Sequence, residues 1–208
     1  MDQSKIEQGR LAVARHAAEL FWRDGVEKTS GDAIAAAAGL SKRTVWRYFR
    51  SKEACIEPLF HVTGLRFVEL LRAWPREVSI ETYLHETLGS MLQTEQEIRD
   101  GVAAARLISR LKTEPAIRCA YLMASAQAED ALVAIIAARA GLNPDDFDVK
   151  LCAAAAMAAV RVVDEDICTA TFTHGRRFEH PEVCDRLAAA IRTASTLPIC
   201  DPLASQAG

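Results

Sequence analysis

The segment Thr29–Lys52, TSGDAIAAAAGLSKRTVWRYFRSK, restricts the possible folds of this chain more than any other stretch. Ser30 stands where a short helix should begin, with a side-chain oxygen able to accept from a free backbone N–H at the helix start. The alanine-rich run to Ala38 continues that helix, and Gly39 is suited to the left-handed backbone that closes one. Ser41 then offers a second cap. Ala35, one turn before Gly39, has no bulk beyond Cβ, so a second helix can cross close above the first. Ile34, Ala38, Leu40, Val45 and Phe49 supply an apolar seam between the two. Pointing outward are Lys42, Arg43, Thr44, Trp46, Arg47 and Tyr48, followed by Arg50 and Lys52, and no acid interrupts that run. A tight turn between two capped helices, the second of them basic, is the geometry by which a helix enters a DNA major groove.

The charge of the whole chain conceals this. The 208 residues carry a formal charge of −3, but residues 1–55 hold ten Lys and Arg against seven Asp and Glu, whereas the remainder holds fifteen against twenty-one. Attraction for phosphate is therefore concentrated at one end. Helical periodicity accounts for the rest of the sequence. A first helix is predicted from about Ser4 to Asp24, ended by Gly25. Ser51 should cap a longer helix running to Trp74-Pro75, with a kink at Pro58. Ser79 should open a helix toward Gln96, and a further one should reach about Lys112. Pro115–Ala140 should be closed by Gly141. Asn143-Pro144 reads as a cap and first-turn proline for a helix reaching about Thr173, and Pro181 should start a last helix that fades before Leu197. No strand pattern, repeat or low-complexity linker is present. The predicted fold class is all-α, with an N-terminal three-helix bundle over residues 1–50 and a larger helical domain over 51–208.

The segment AGLSKRTVWRYFRSKEA closely resembles the recognition helix, and the start of the next helix, in the TetR family of bacterial repressors. The resemblance implies a homodimer on a double-stranded DNA operator with inverted-repeat symmetry, released by a small apolar or amphipathic effector and needing no cofactor. By that resemblance Lys42 and Arg43 reach base edges, and Thr44 touches backbone or base. Trp46 and Tyr48 lie along phosphates, although tyrosine is commoner in the family at the position of Trp46. Lys52 corresponds to a phosphate-clamping lysine, and Thr29 and Ser30 to hydroxyl contacts. Arg47 and Arg50 are either phosphate ligands or solvated surface cations, with phosphate contact the favoured reading. The resemblance also implies a ligand pocket between roughly Leu59 and Ile136. Candidate lining residues are Phe60, Phe67, Trp74, Tyr83, Met91, Arg106, Arg110, Tyr121 and Met123. Arg106 and Arg110, one turn apart, could jointly meet an anionic group. The bulk-free stretch Leu151–Val160 suits close helix packing, and the family's dimer interface would fall at about residues 145–173 and 181–196. Residues 141–162, GLNPDDFDVKLCAAAAMAAVRV, faintly resemble a subgroup with acyl-CoA-like ligands.

An enzyme is the rival class, and the sequence offers it little. His16, His61, His85, His174 and His180 have no close metal-ligand spacing, so no metal site is expected, and neither a Gly-rich phosphate loop nor a G-x-S-x-G turn occurs. The six cysteines are scattered without a C-x-x-C pair, as expected of reduced thiols. The polar N-terminus and the shortness of the longest uninterrupted apolar run, Leu151–Val160, point to a cytoplasmic protein with no membrane partner.

Overall fold

The computed structural model describes residues 3–90 and 94–203. The described chain is helical throughout. Helix α1 (Gln3–Asp24) ends where Gly25 turns to φ +83°, its N–H donating to Phe21 O. Helices α2 (Gly31–Ala37) and α3 (Lys42–Tyr48) form the expected pair. Ser30 accepts from the backbone N–H of Ala33 and Ser41 from that of Thr44, while Gly39 adopts φ +65° between them. Leu40 N–H reaches back to Ala35 O at 2.9 Å, which closes the turn. Ile34, Val45 and Phe49 are buried, with Ala38 and Leu40 packed against them.

Beyond the motif, several boundaries differ from expectation. Ser51 caps only a 3₁₀ turn, Glu53–Ile56, and helix α4 (Glu57–Arg72) starts afresh with Pro58 in its first turn. A proline there lacks only a hydrogen bond that the first turn never makes, so α4 needs no kink. Helix α5 (Ile80–Thr87) stops far short of Gln96. A new helix, α6 (Glu95–Ile108), starts from a reciprocal capping box in which Thr94 accepts from Glu97 N–H and the Glu97 carboxylate accepts from Thr94 N–H. The T-x-x-E signature was available in the sequence. Helix α7 (Pro115–Ala140) has the predicted bounds and ends at Gly141 with φ +71°. Helix α8 (Phe147–His174) starts later than Asn143-Pro144 suggested. Asn143 Oδ1 instead accepts from Asp145 N–H in a tight Asx turn, which leaves Asp146 as the flanking residue. Helix α9 is His180–Ala194.

Two apolar clusters organise the packing. One joins α1–α3 to the start of α4, the end of α6 and the first half of α7. The other joins the rest of α4 and α7 to α5, α8 and α9. The division of the chain at residue 50 therefore crosses continuous packing, and Cys55, Ile56, Leu59 and Phe60 belong to the same core as the motif. Helix α7 is long and apolar enough to cross a bilayer by length and composition alone, but here it runs between α4 and α8 and contributes to both clusters. Arg139 near its end is 4% exposed. Its guanidinium donates to the carbonyls of Pro75, Val78, Ile199 and Asp201 and stacks 3.5 Å from the Trp74 ring, tying three chain segments together.

Candidate functional site

The outward surface of α3 follows from its caps. With Val45 and Phe49 turned into the core, Lys42, Arg43 and Arg47 are left in solvent, with Thr44 and Tyr48 half-buried. Arg43 makes no ion pair among the described residues and projects a free guanidinium. Lys42 does not, because the fold brings Asp32 of α2 within 2.8 Å of its amine. Both groups are well exposed, so this pair is weak and exchangeable for a stronger acceptor. Thr44 Oγ1 shares a hydrogen bond with Ser41 Oγ, Arg47 lies over the Tyr48 ring, and Tyr48 packs beside Gly9 of α1.

The Trp46 indole packs against the start of α2. A Cβ at Gly31 would fall 2.2 Å from Trp46 Cζ2, so the indole occupies the space a side chain at residue 31 would need. The glycine and the tryptophan are thus complementary, and 38% of Trp46 remains exposed. Ser30 accepts from Ala33 N–H and keeps its hydroxyl proton available to a phosphate. Thr29 and Lys52 are placed differently from expectation. Thr29 is buried and donates its hydroxyl to Gly25 O, while Lys52 donates to the carbonyls of Val26 at 2.7 Å and Thr29 at 3.0 Å. Both residues hold the α1–α2 loop in shape, occupying donors expected to face phosphate.

A cavity of about 700 Å³ opens among α4, α6, α7, α8 and α9, within the range of small-molecule sites. Of the sequence candidates, Phe60, Phe67 and Tyr121 line it. Trp74, Tyr83, Arg106, Arg110 and Met123 lie elsewhere. Trp74 and Tyr83 stack on one another in the far cluster, where Tyr83 donates to Leu70 O. Met123 is exposed away from the cavity, and Met91 lies outside the described residues. Arg106 and Arg110 turn toward α1, placed 5.7 and 4.2 Å from the Trp22 ring, and Arg110 also donates to Phe21 O. The two share one face of α6, and tertiary packing turns that face toward α1.

The cavity also extends past Ile136 onto α8, within the span where the family's dimer interface is expected. Val160, Asp164, Cys168 and Phe172 line it at helical spacing. On another face of α8, Phe147, Leu151 and Val162 are exposed at 76%, 42% and 69%. One helix therefore serves a cavity and a solvent-facing apolar stripe. Tyr121 donates its hydroxyl to Asp164 Oδ2 at 3.1 Å. Burial pushes the Asp164 carboxyl up to about 6 against the lowering effect of that bond, and burial with the Asp164 charge also raises the Tyr121 phenol. The signal for Asp164 was an acid on the inward stripe of an apolar helix.

The cavity connects to α1 in two places. Phe172, on its wall, meets Trp22 edge-to-face at 5.9 Å. Helix α6 presents Val102 and Ile108 to the cavity, while its Asp100, 1% exposed, receives two 2.8 Å bonds from the Arg15 guanidinium of α1.

Residues 15–59 match the family described as bacterial regulatory proteins of the tetR family, and residues 87–175 match the MftR C-terminal domain. The chain is 30% identical over 169 residues to the HTH-type transcriptional regulator TcmR of Streptomyces glaucescens, covering 79% of this chain and 75% of TcmR. The chain belongs to the TetR family. Members are DNA-binding transcriptional repressors, and this TetR-family chain is accordingly a DNA-binding transcriptional regulator. Its fold is shared with Salmonella enterica GusR (21% identity, TM-score 0.53, 89% of this chain and 96% of GusR). It is also shared with Thermus thermophilus FadR, solved with lauroyl-CoA (20% identity, TM-score 0.53, 94% and 99%).

Proposed function

We propose that this regulator represses transcription as a cytoplasmic homodimer on an inverted-repeat operator and is released when a small amphipathic molecule fills the cavity. It performs no catalysis in this reading. The observation that carries it is the double attachment of the cavity wall to α1, through Phe172 on Trp22 and through α6 by Arg15 and Asp100. An occupant that displaces Phe172 or α6 must move α1, and α1 packs on α2 beneath the recognition helix. Dimerisation is supported by the stripe of Phe147, Leu151 and Val162, which is apolar and unpartnered within one protomer.

In the DNA complex Arg43 is the base-reading side chain, fit to meet guanine O6 and N7 in bidentate fashion, with Lys42 joining after exchanging Asp32 for a base or phosphate. Ser30, Thr44, Trp46, Arg47 and Tyr48 position the protein on the backbone. Thr29 and Lys52 act by shaping the loop beside it. Selection of genomic fragments that bind the purified protein would yield the operator. Its affinity would then be measured with and without candidate effectors. Wild-type protein without preference between matched and scrambled operators would overturn sequence-specific repression. Effectors that bind tightly yet leave operator affinity unchanged would favour a constitutive repressor.

A further inference from the structure

Asp164 and Arg66 are the charged residues on the cavity wall among the described residues. They are not equivalent. The Arg66 guanidinium lies 3.1 Å from the Glu97 carboxylate through Nη2, so its charge is met by the protein, while its buried Nη1 has no hydrogen-bond acceptor among the described residues. Asp164 has no basic partner among the described residues. One of its oxygens takes the Tyr121 hydroxyl, a neutral donor, and the other has no donor among the described residues. A carboxylate on an apolar wall without a counter-ion is costly to keep and is relieved by any cation placed beside it. Its surroundings also suit a cation. Phe60, Phe67, Tyr121 and Phe172 present aromatic rings to the same space, and ring faces attract positive charge. Phe178 contributes a fifth ring, already covered by Arg176 and Arg186, whose charges are met by Glu182 and Asp166.

We infer that the effector is a lipophilic cation, an aromatic or aliphatic amphiphile whose positive centre sits against Asp164 while its apolar body fills the aromatic cavity. The inference rests on the cavity being the effector site. It sets this chain apart from an occupant headed by a carboxylate or phosphate, because an anion near Asp164 would force that carboxyl to take up a proton before binding. Cys168, one turn beyond Asp164, is a half-buried thiol that adds no charge.

The test uses two probes of the same shape and opposite charge, tetraphenylphosphonium and tetraphenylborate, titrated into the full chain by calorimetry. Wild type should bind the cation at least about tenfold more tightly than the anion. Asp164→Asn should abolish that preference by weakening the cation and removing the cost to the anion, with circular dichroism monitoring the fold. Tyr121→Phe, which removes the hydrogen bond and keeps the charge, should retain the preference. Equal affinity for both ions, binding of neither, or a preference unchanged in Asp164→Asn would overturn the inference. So would preference for the anion that is lost in Arg66→Gln, which would assign the site to anionic amphiphiles. Operator release is read separately by fluorescence anisotropy. A cation that binds through Asp164 without releasing DNA leaves the ligand class standing and refutes release. Release by an anionic effector does the reverse.

Discussion

Replacing Asp100 with alanine tests how α1 is tied to the cavity wall. The carboxylate is 1% exposed and accepts 2.8 Å bonds from Arg15 Nε, Arg15 Nη2 and Gln96 Nε2. Burial alone would raise its pKa, but the bonds from Arg15 and Gln96, together with the charges of Arg15 and Arg66, hold it below the usual carboxylate range. Breaking a fully buried ion pair costs about 3–5 kcal/mol. Because 35% of the Arg15 side chain is exposed, water can solvate the orphaned guanidinium, and we expect about 2–3 kcal/mol for Asp100→Ala. Urea denaturation at neutral pH should show this as a lower midpoint at unchanged slope. A depressed folded-state pKa stabilises above the unfolded-state value of about 3.9 and loses that contribution as pH falls through the folded-state value. The deficit of Asp100→Ala should therefore shrink as pH is lowered below about 4. The double variant Arg15→Met/Asp100→Leu should recover stability to within about 1 kcal/mol, since apolar residues of similar size remove the desolvation cost. It should nevertheless weaken the coupling between effector and operator, because the directional link is gone. A loss under about 0.5 kcal/mol in Asp100→Ala would show that the pair holds nothing. Undiminished coupling in the double variant would show that α6 does not transmit through it.

Gly31→Ala should cost about 1–3 kcal/mol in stability by driving a Cβ into the Trp46 ring, and the combination with Trp46→Ala should cost less than the sum of the single changes, measurable by a double-mutant cycle. Arg43→Ala should relax base preference by about 1–3 kcal/mol at one base pair of each half-site, read from titrations on operator variants. Lys52→Ala should lower thermal stability as well as operator affinity, because its amine holds the Val26 and Thr29 carbonyls; unchanged stability with a salt slope shallower by about 0.9 would make it a simple phosphate contact instead. Arg139→Leu should destabilise the chain by about 2–4 kcal/mol by leaving the Ile199 and Asp201 carbonyls without the guanidinium, while Pro75 and Val78 keep the Val78 N–H and the Trp74 Nε1–H, and a change below about 0.5 kcal/mol in urea denaturation would contradict this.

What could be read from the residues alone was local. The Ser30 and Ser41 caps, the turns at Gly25, Gly39 and Gly141, and the start of α7 at Pro115 depend on backbone preferences within one or two turns of chain, and each lies where its own chemistry puts it. The Thr94–Glu97 capping box was equally local and equally visible, whereas Asn143 satisfied the rules for a cap and for an Asx turn alike. Partnership between distant residues was decided only by tertiary structure. Lys42 met Asp32, Lys52 turned to the α1–α2 loop, and Arg106 with Arg110 faced Trp22 in place of a ligand, because a helical face is defined by sequence but its neighbour is not. Asp164 illustrates the same limit. Its spacing put it on a stripe with Val160, Cys168 and Phe172, but only the packing of α8 against α6 and α7 made that stripe the wall of a cavity and left a carboxylate there with no basic partner among the described residues.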